Sequence, residues 1–298
     1  MADKLLSSTD IGRLAPDFLG ALVSNPAVAA GVHIMGILNV TPDSFSDGGQ
    51  LFSGGAPGID EIRRRADLMV AAGASILDIG GESTRPGAAK VSVQQELDRV
   101  IPAVEALVDS GDVFLSVDTS NPEVMREAVR AGAGLINDVR ALGREGAMEA
   151  ALELEVPVCL MHMQGQPGTM QQQPDYDDVV SEVESFLLAR AQALRARGFP
   201  AQNIAIDPGF GFGKTLQHNL RLFNNLERLC GYGYPVLVGV SRKSMIGTIT
   251  GRDTDQRAVG SAVLAALAVS AGARIVRVHD VAATADAVKI AVALKENE

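Results

Sequence analysis

The chain has 298 residues, 47% of them hydrophobic, enough for one α/β barrel or two smaller domains, and its net charge of -10 argues against a nucleic-acid surface. No apolar run approaches the ~18 residues of a membrane-spanning helix, and Lys4 followed by serine, threonine and aspartate lacks a signal-peptide pattern. Cys159 and Cys230 stand too far apart for a metal motif and read as buried thiols in a reducing compartment, so a soluble cytoplasmic protein is expected.

Residues 1–31 are Ala-rich and weakly periodic around Ile11, Leu14, Phe18, Leu19 and Leu22, which reads as an N-terminal extension with a short helix capping one end of the fold. From His33 onward, short β-branched or apolar runs alternate with longer segments of helical period. The runs are His33–Val40, Ser75–Gly80, Val113–Asp118, Leu135–Val139, Val156–Met163, Ile204–Asp207, Val236–Ser241 and Arg274–His279. Between them, Val93, Leu97, Val100, Ile101, Val104, Leu107 and Val108 share one helical face behind a Ser92/Gln95 capping box. Asn121 and Pro122 supply an N-cap and a first-turn proline for a helix ending near Gly132, and Asp177–Gly198 is a long helix closed by glycine. Other helices are expected after Asp60, Glu145, Leu216, Arg257 and Ala283. Eight such units without a composition break predict an α/β fold, a single (β/α)8 TIM barrel over residues 32–298. An open doubly wound sheet is the alternative.

A barrel places its chemistry where strands end, at the C-terminal face. Here the ends carry Asn39, Asp78, Asp118, Asn137, Met163, Asp207, Ser241 with Lys243, and Arg277 with His279. The two-residue period of a strand turns Phe114, Ser116, Asp118, Asp207, Arg277 and His279 inward together. Each has a bland reading: strand-end aspartates cap helices, Lys243 covers a surface or forms a Schiff base, and Arg277 or His279 pairs with Asp78 or Asp280 in a structural network. The stretch Ile204–Thr215 ends like a phosphate-cradling P-loop, Gly213-Lys214-Thr215, but the residue five before Gly213 is Pro208, which has no N–H to offer. What remains is Asp207 before a turn with alternating glycines. Four histidines without an H-x-x-x-H pair argue against zinc, leaving a hard, oxygen-bound ion, Mg²⁺ shared with a substrate phosphate, as the expected metal. Two long polar loops, Asn39–Gly49 and Gly80–Gly87, suit lids over a ligand.

Two of these stretches, Gly36–Gly49 and Asp78–Ala88, resemble the signature segments of the dihydropteroate synthase family. Ser116–Thr119, Ile136–Asp138, Leu160–Met163, Asp207–Gly213, Ser241–Ser244 and Arg277–His279 resemble it too, in the family's order, and only the first thirty residues lie outside the likeness. The resemblance implies a transferase of folate biosynthesis that joins p-aminobenzoate to (7,8-dihydropterin-6-yl)methyl diphosphate and releases diphosphate with Mg²⁺, working as a homodimer. It implies that Asp118, Asn137, Asp207 and Lys243 hold the pterin, with Met163 on its face and Phe212 in the wall beside it. Arg277 and His279 would bind the diphosphate with Thr84, Asn39 would take the metal, and Arg85, Pro86 and Ser244 would frame the p-aminobenzoate. Asp118, Lys243, Arg277 and His279 are the expected catalytic groups, and Lys214 is expected to be a bystander.

Those residue types suit the task. A carboxylate accepts two parallel N–H bonds from an amino-pyrimidine edge, and cationic groups at the mouth stabilise a departing polyanion. Readings of other classes are a pterin-dependent methyl-transfer module, a non-catalytic pterin-binding protein and a Schiff-base aldolase using Lys243.

Overall fold

A computed structural model of the chain describes residues 31–41, 58–83, 91–109, 113–165 and 168–297. The N-terminal extension expected over 1–31 lies outside them except for Gly31, as do most of the two expected lid loops.

The eight strands are β1 (His33–Asn39), β2 (Ile76–Gly80), β3 (Phe114–Asp118), β4 (Leu135–Asp138), β5 (Val158–Met161), β6 (Ile204–Asp207), β7 (Leu237–Val238) and β8 (Ile275–Val278). After β1 to β5 come, in turn, α1 (Ile59–Ala71), α2 (Val93–Leu107), α3 (Pro122–Ala131), α4 (Ala147–Leu154) and α5 (Val179–Arg195). After β6 come α6 (Leu216–Asn224) and α7 (Leu226–Cys230), after β7 come α8 (Ser244–Thr250) and α9 (Ala258–Ser270), and α10 (Val281–Lys295) follows β8. All pairings are parallel, β1 lies between β2 and β8, and a bridge between Ile206 and Val236 brings β6 to β7. That bridge nearly closes a barrel and rules out the open doubly wound sheet.

The strands read as continuous apolar runs because both faces are covered. Outward residues such as Leu77, Ile79, Leu115, Val117, Ile204 and Ile206 pack beneath the helices in the main core. Inward, each strand contributes one side chain to a floor: Met35, Ile76, Phe114, Leu135, Cys159, Ala205, Leu237 and Ile275. Burial pushes the Cys159 thiol well up, so it serves the floor as a small apolar plug. With the floor filled, the polar inward residues stand above it at the strand ends.

Local signals account for most element boundaries. Ser92 and Gln95 form the reciprocal capping box of α2. Pro122 begins α3, but the Asn121 side chain caps nothing; its own backbone N–H instead goes to Thr119 Oγ1 at 3.1 Å. α5 is shorter than Asp177–Gly198, because Asp178 caps it and the chain leaves the helix at Ala196 before Gly198 at φ +91°. β7 stops well short of Ser241. Lys243 N–H turns back to Val240 O at 3.2 Å, and Arg242 takes the left-handed conformation at φ +56°.

Candidate active site

Strand register sets the site's first row. Asn39 pairs with Gly80, Gly80 with Asp118, and Asp118 with Asn137, so three polar side chains and one gap run across β1 to β4. A Cβ on Gly80 would lie 3.5 Å from Asn39 Oδ1 and 3.7 Å from Asp118 Oδ2, so the glycine leaves these two oxygens facing one space.

Below this row Asp78 is the hub. It is fully buried and accepts hydrogen bonds from Ser116 Oγ at 2.6 Å, Asn137 Nδ2 at 3.0 Å and Arg277 Nε at 2.5 Å. The other arm of the Arg277 guanidinium, Nη2, reaches Asp118 Oδ2 at 2.7 Å. One cation thus bridges two carboxylates. Burial raises the Asp118 pKa, with Asp78, Asp138 and Glu96 adding to the rise and Arg277 opposing it. Gly239, just past β7, lies beside Arg277, and a Cβ there would meet Arg277 Cβ at an ordinary 3.9 Å.

Asp207 ends β6 with 5% exposure and accepts the Gly209 N–H at 2.7 Å. Burial raises its pKa, and the charge of Lys243, then the Gly209 N–H, Lys214 and Arg277, hold it down. Gly209, Gly211 and Gly213 all have positive φ, which explains the alternating glycines as a backbone requirement rather than a phosphate cradle. Lys243 donates to Phe210 O and stands 4.6 Å over the Phe212 ring. Phe210 itself is fully buried against Phe223 at 5.5 Å, so of the two phenylalanines only the half-buried Phe212 is left to face the mouth.

Lys214 is the residue expected to be a bystander. It is 3% exposed, and its Nζ reaches His162 Nδ1 at 3.0 Å, Gly209 O at 2.9 Å and Phe212 O at 3.1 Å. Burial lowers Lys214 to about 7 and Lys243 to about 8, in each case against the pull of Asp207.

Past the ends of β7 and β8, Ser241 Oγ lies 3.0 Å from His279 Nδ1 and accepts the His279 N–H at 3.1 Å. Arg242 Nη2 pairs with Asp280 at 2.5 Å, and the Arg242 N–H goes to Ser261 Oγ at 2.9 Å, which steers the next residue, Lys243, toward the mouth. Asp280 therefore serves Arg242, while Asp78 serves Arg277. Met163 is half-buried just beyond β5, and Ser244 is exposed as the first residue of α8. Thr84, Arg85 and Pro86 lie outside the described residues.

The described residues hold no group of three or more His, Cys, Asp or Glu side chains able to bind a metal. Asn39 Oδ1 beside the Gly80 gap is a single neutral oxygen. It fits a hard ion carried mainly by water and substrate phosphate oxygens, the usual manner of Mg²⁺.

A nearly closed parallel barrel with a partly buried acceptor row and two cations at its C-terminal mouth has the architecture of a barrel enzyme for a flat polar ring and an anion. The family model described as pterin binding enzyme matches residues 35–279, and the chain belongs to that family. Within it the similarity runs to dihydropteroate synthases. That of Haemophilus influenzae is 53% identical over 258 residues, 87% of this chain and 92% of the relative. The solved structure of Xanthomonas albilineans dihydropteroate synthase with 4-aminobenzoic acid superposes with a TM-score of 0.83 at 50% identity, covering 89% of this chain and 94% of that one. The same organism's enzyme in complex with 7,8-dihydropteroate gives a TM-score of 0.80 at 47% identity over the same shares.

Asp78 was expected at a strand end and as a possible partner of Arg277, whereas the parts of His162 and Lys214 were not legible. Side-chain parity had turned Ser116 inward. Nothing local to Lys214 announces its burial, which depends on His162 at the end of another strand.

Proposed function

We infer that this chain transfers the (7,8-dihydropterin-6-yl)methyl group from its diphosphate to p-aminobenzoate, giving 7,8-dihydropteroate and diphosphate in folate biosynthesis. The observation that carries the reading is the division of the mouth. Acceptors Asp118, Asn137 and Asp207 form a polar edge for a flat ring rich in N–H donors, while Arg277 adjoins it as a cation for a polyanion.

Asp207, Asn137 and Asp118 take the pterin's donor edge, Lys243 donates to its carbonyl, and Met163 and Phe212 lie against the ring. Arg277 and His279, with Thr84, hold the diphosphate, and Arg85, Pro86 and Ser244 frame the p-aminobenzoate. Asn39 would hold Mg²⁺, which when bound would supply charge neutralisation for the departing diphosphate. The aniline nitrogen is neutral near pH 7, so attack needs no prior deprotonation. The chain's contribution is to orient the two rings, keep water out and stabilise the anion as the C–O bond breaks.

A homodimer is the companion reading. α9 exposes Val259, Val263 and Leu267 at four-residue spacing, and α10 exposes Ile290 and Leu294. Val263→Glu is expected to convert a dimer to a monomer in light scattering, and a wild-type monomer overturns the idea. Free Cys159 and Cys230 support a reducing, cytoplasmic setting.

The test of function is release of diphosphate that requires both the dihydropterin diphosphate and p-aminobenzoate. Pterin binding without turnover would leave a non-catalytic binding protein, and covalent trapping by borohydride with a carbonyl substrate would point to Lys243 as a Schiff-base former.

A further inference from the structure

The backbone from Gly209 to Gly213 makes a tight turn in which side chains take all five carbonyls. Lys214 Nζ takes Gly209 O and Phe212 O, Lys243 Nζ takes Phe210 O, Gln171 Nε2 takes Gly211 O, and Tyr176 OH takes Gly213 O at 2.8 Å. The two lysines divide the work. Lys243 is half-buried at the mouth, whereas Lys214 is buried beneath the turn, its third bond going to His162 Nδ1 at 3.0 Å. There is no room for a side chain at two of its glycines: a Cβ on Gly209 would sit 1.9 Å from His162 O, and one on Gly213 would sit 2.4 Å from Gln164 O.

We propose that Lys214 is a positioning residue for pterin binding, holding the 209–213 turn so that the Gly209 N–H meets Asp207 and the Phe212 ring meets Lys243. The inference rests on the pterin reading given above. The geometry makes Gly209 the link, because its N–H serves the Asp207 carboxylate while its carbonyl serves the Lys214 ammonium. Without the ammonium, Phe212 O loses its side-chain donor, Gly209 O keeps only the Phe212 N–H at 3.1 Å, and the peptide that orients Asp207 loses one of its two anchors. His162 has the matching chemistry: burial, then the charge of Lys214, lowers it to about 3, so the ring stays neutral, and the tautomer with its proton on Nε2 offers an Nδ1 lone pair to the ammonium 3.0 Å away. No contact of Lys214 runs toward Ser244 or His279, so the p-aminobenzoate and diphosphate sides have no direct dependence on it.

The test is steady-state diphosphate release by the full-length chain carrying Lys214→Met, which removes the ammonium and keeps the stem. KM for the dihydropterin diphosphate is expected to rise about tenfold or more, with KM for p-aminobenzoate within about twofold and kcat within about threefold of wild type. An unchanged pterin KM, or equal rises in both KM values, overturns the proposal. Should Lys214→Met fail to fold in a thermal scan, Tyr176→Phe decides, since it drops only the bond to Gly213 O. A rise of about threefold in pterin KM supports the proposal and no rise overturns it. A wild-type chain that releases no diphosphate defeats the functional reading and this inference with it, whereas normal wild-type turnover beside an unaltered Lys214→Met defeats this inference alone.

Discussion

Asp207 and Arg277 carry opposite charges, and their removal should fail differently. Asp207→Ala removes a nearly buried acceptor and leaves donors of a bound pterin unpaired, so pterin binding should weaken by about 2–4 kcal/mol, and an unchanged affinity by calorimetry sinks the assignment. Arg277 has a structural task as well as a proposed ligand task, because it neutralises the buried Asp78 and the nearby Asp118. Arg277→Ala should therefore lower stability by about 3–5 kcal/mol. In the folded fraction it should weaken diphosphate binding more than pterin binding. Urea unfolding checks the first effect and calorimetry the second; an unshifted urea midpoint contradicts the neutralising role. At this scale, strand parity alone turned Asp118, Asp207 and Arg277 inward. Asp78 was expected at the same face as one of two possible partners for Arg277, but not as the acceptor of three bonds, because its partners lie 38, 59 and 199 residues away in the chain.

Among the elements, the turn after β6 is constrained at each of its glycines, all of positive φ. Gly209→Ala forces a side chain into φ +68° and against the His162 carbonyl, so a stability loss above about 2 kcal/mol is expected together with weakened pterin binding. Gly168, with nothing within 4 Å of its Cβ position, is the control, and Gly168→Ala should change stability by less than about 0.5 kcal/mol. Thermal unfolding of both variants makes the comparison, and equal midpoints would refute it. Helix ends were legible where the signal is local, as in the Ser92/Gln95 box. At Asn121 the N-cap position and the first-turn Pro122 are as expected, and only the side-chain capping bond is missing. The end of β7 was hidden, since the left-handed Arg242 is held by Asp280, Ser261 and Arg257 from later elements.

For the molecule as a whole, acid stability is set partly by His33 at the start of β1. Its ring is 2% exposed, with Nδ1 3.2 Å from Ser75 Oγ and Nε2 without a hydrogen-bond partner among the described residues. Burial, helped by the charge of Arg274, lowers its pKa from 6.5 to about 4. Between those values the unfolded chain binds more protons than the folded one, so stability is complete above pH 6.5 and falls as pH drops toward 4. Wild type should lose about 2 kcal/mol more than His33→Gln between pH 7 and pH 5 in urea unfolding, and parallel losses would exclude His33. The sequence by itself determined the eight alternating units, the inward parity of each strand and the polar strand ends, because these depend on periods of two and 3.6 residues within short segments. Tertiary structure alone decided the barrel's closure between β6 and β7, the neutralisation of two carboxylates by Arg277 and the burial of Lys214. Each of these joins groups on separate strands, and the free energy of such pairs depends on register and burial that no local pattern encodes.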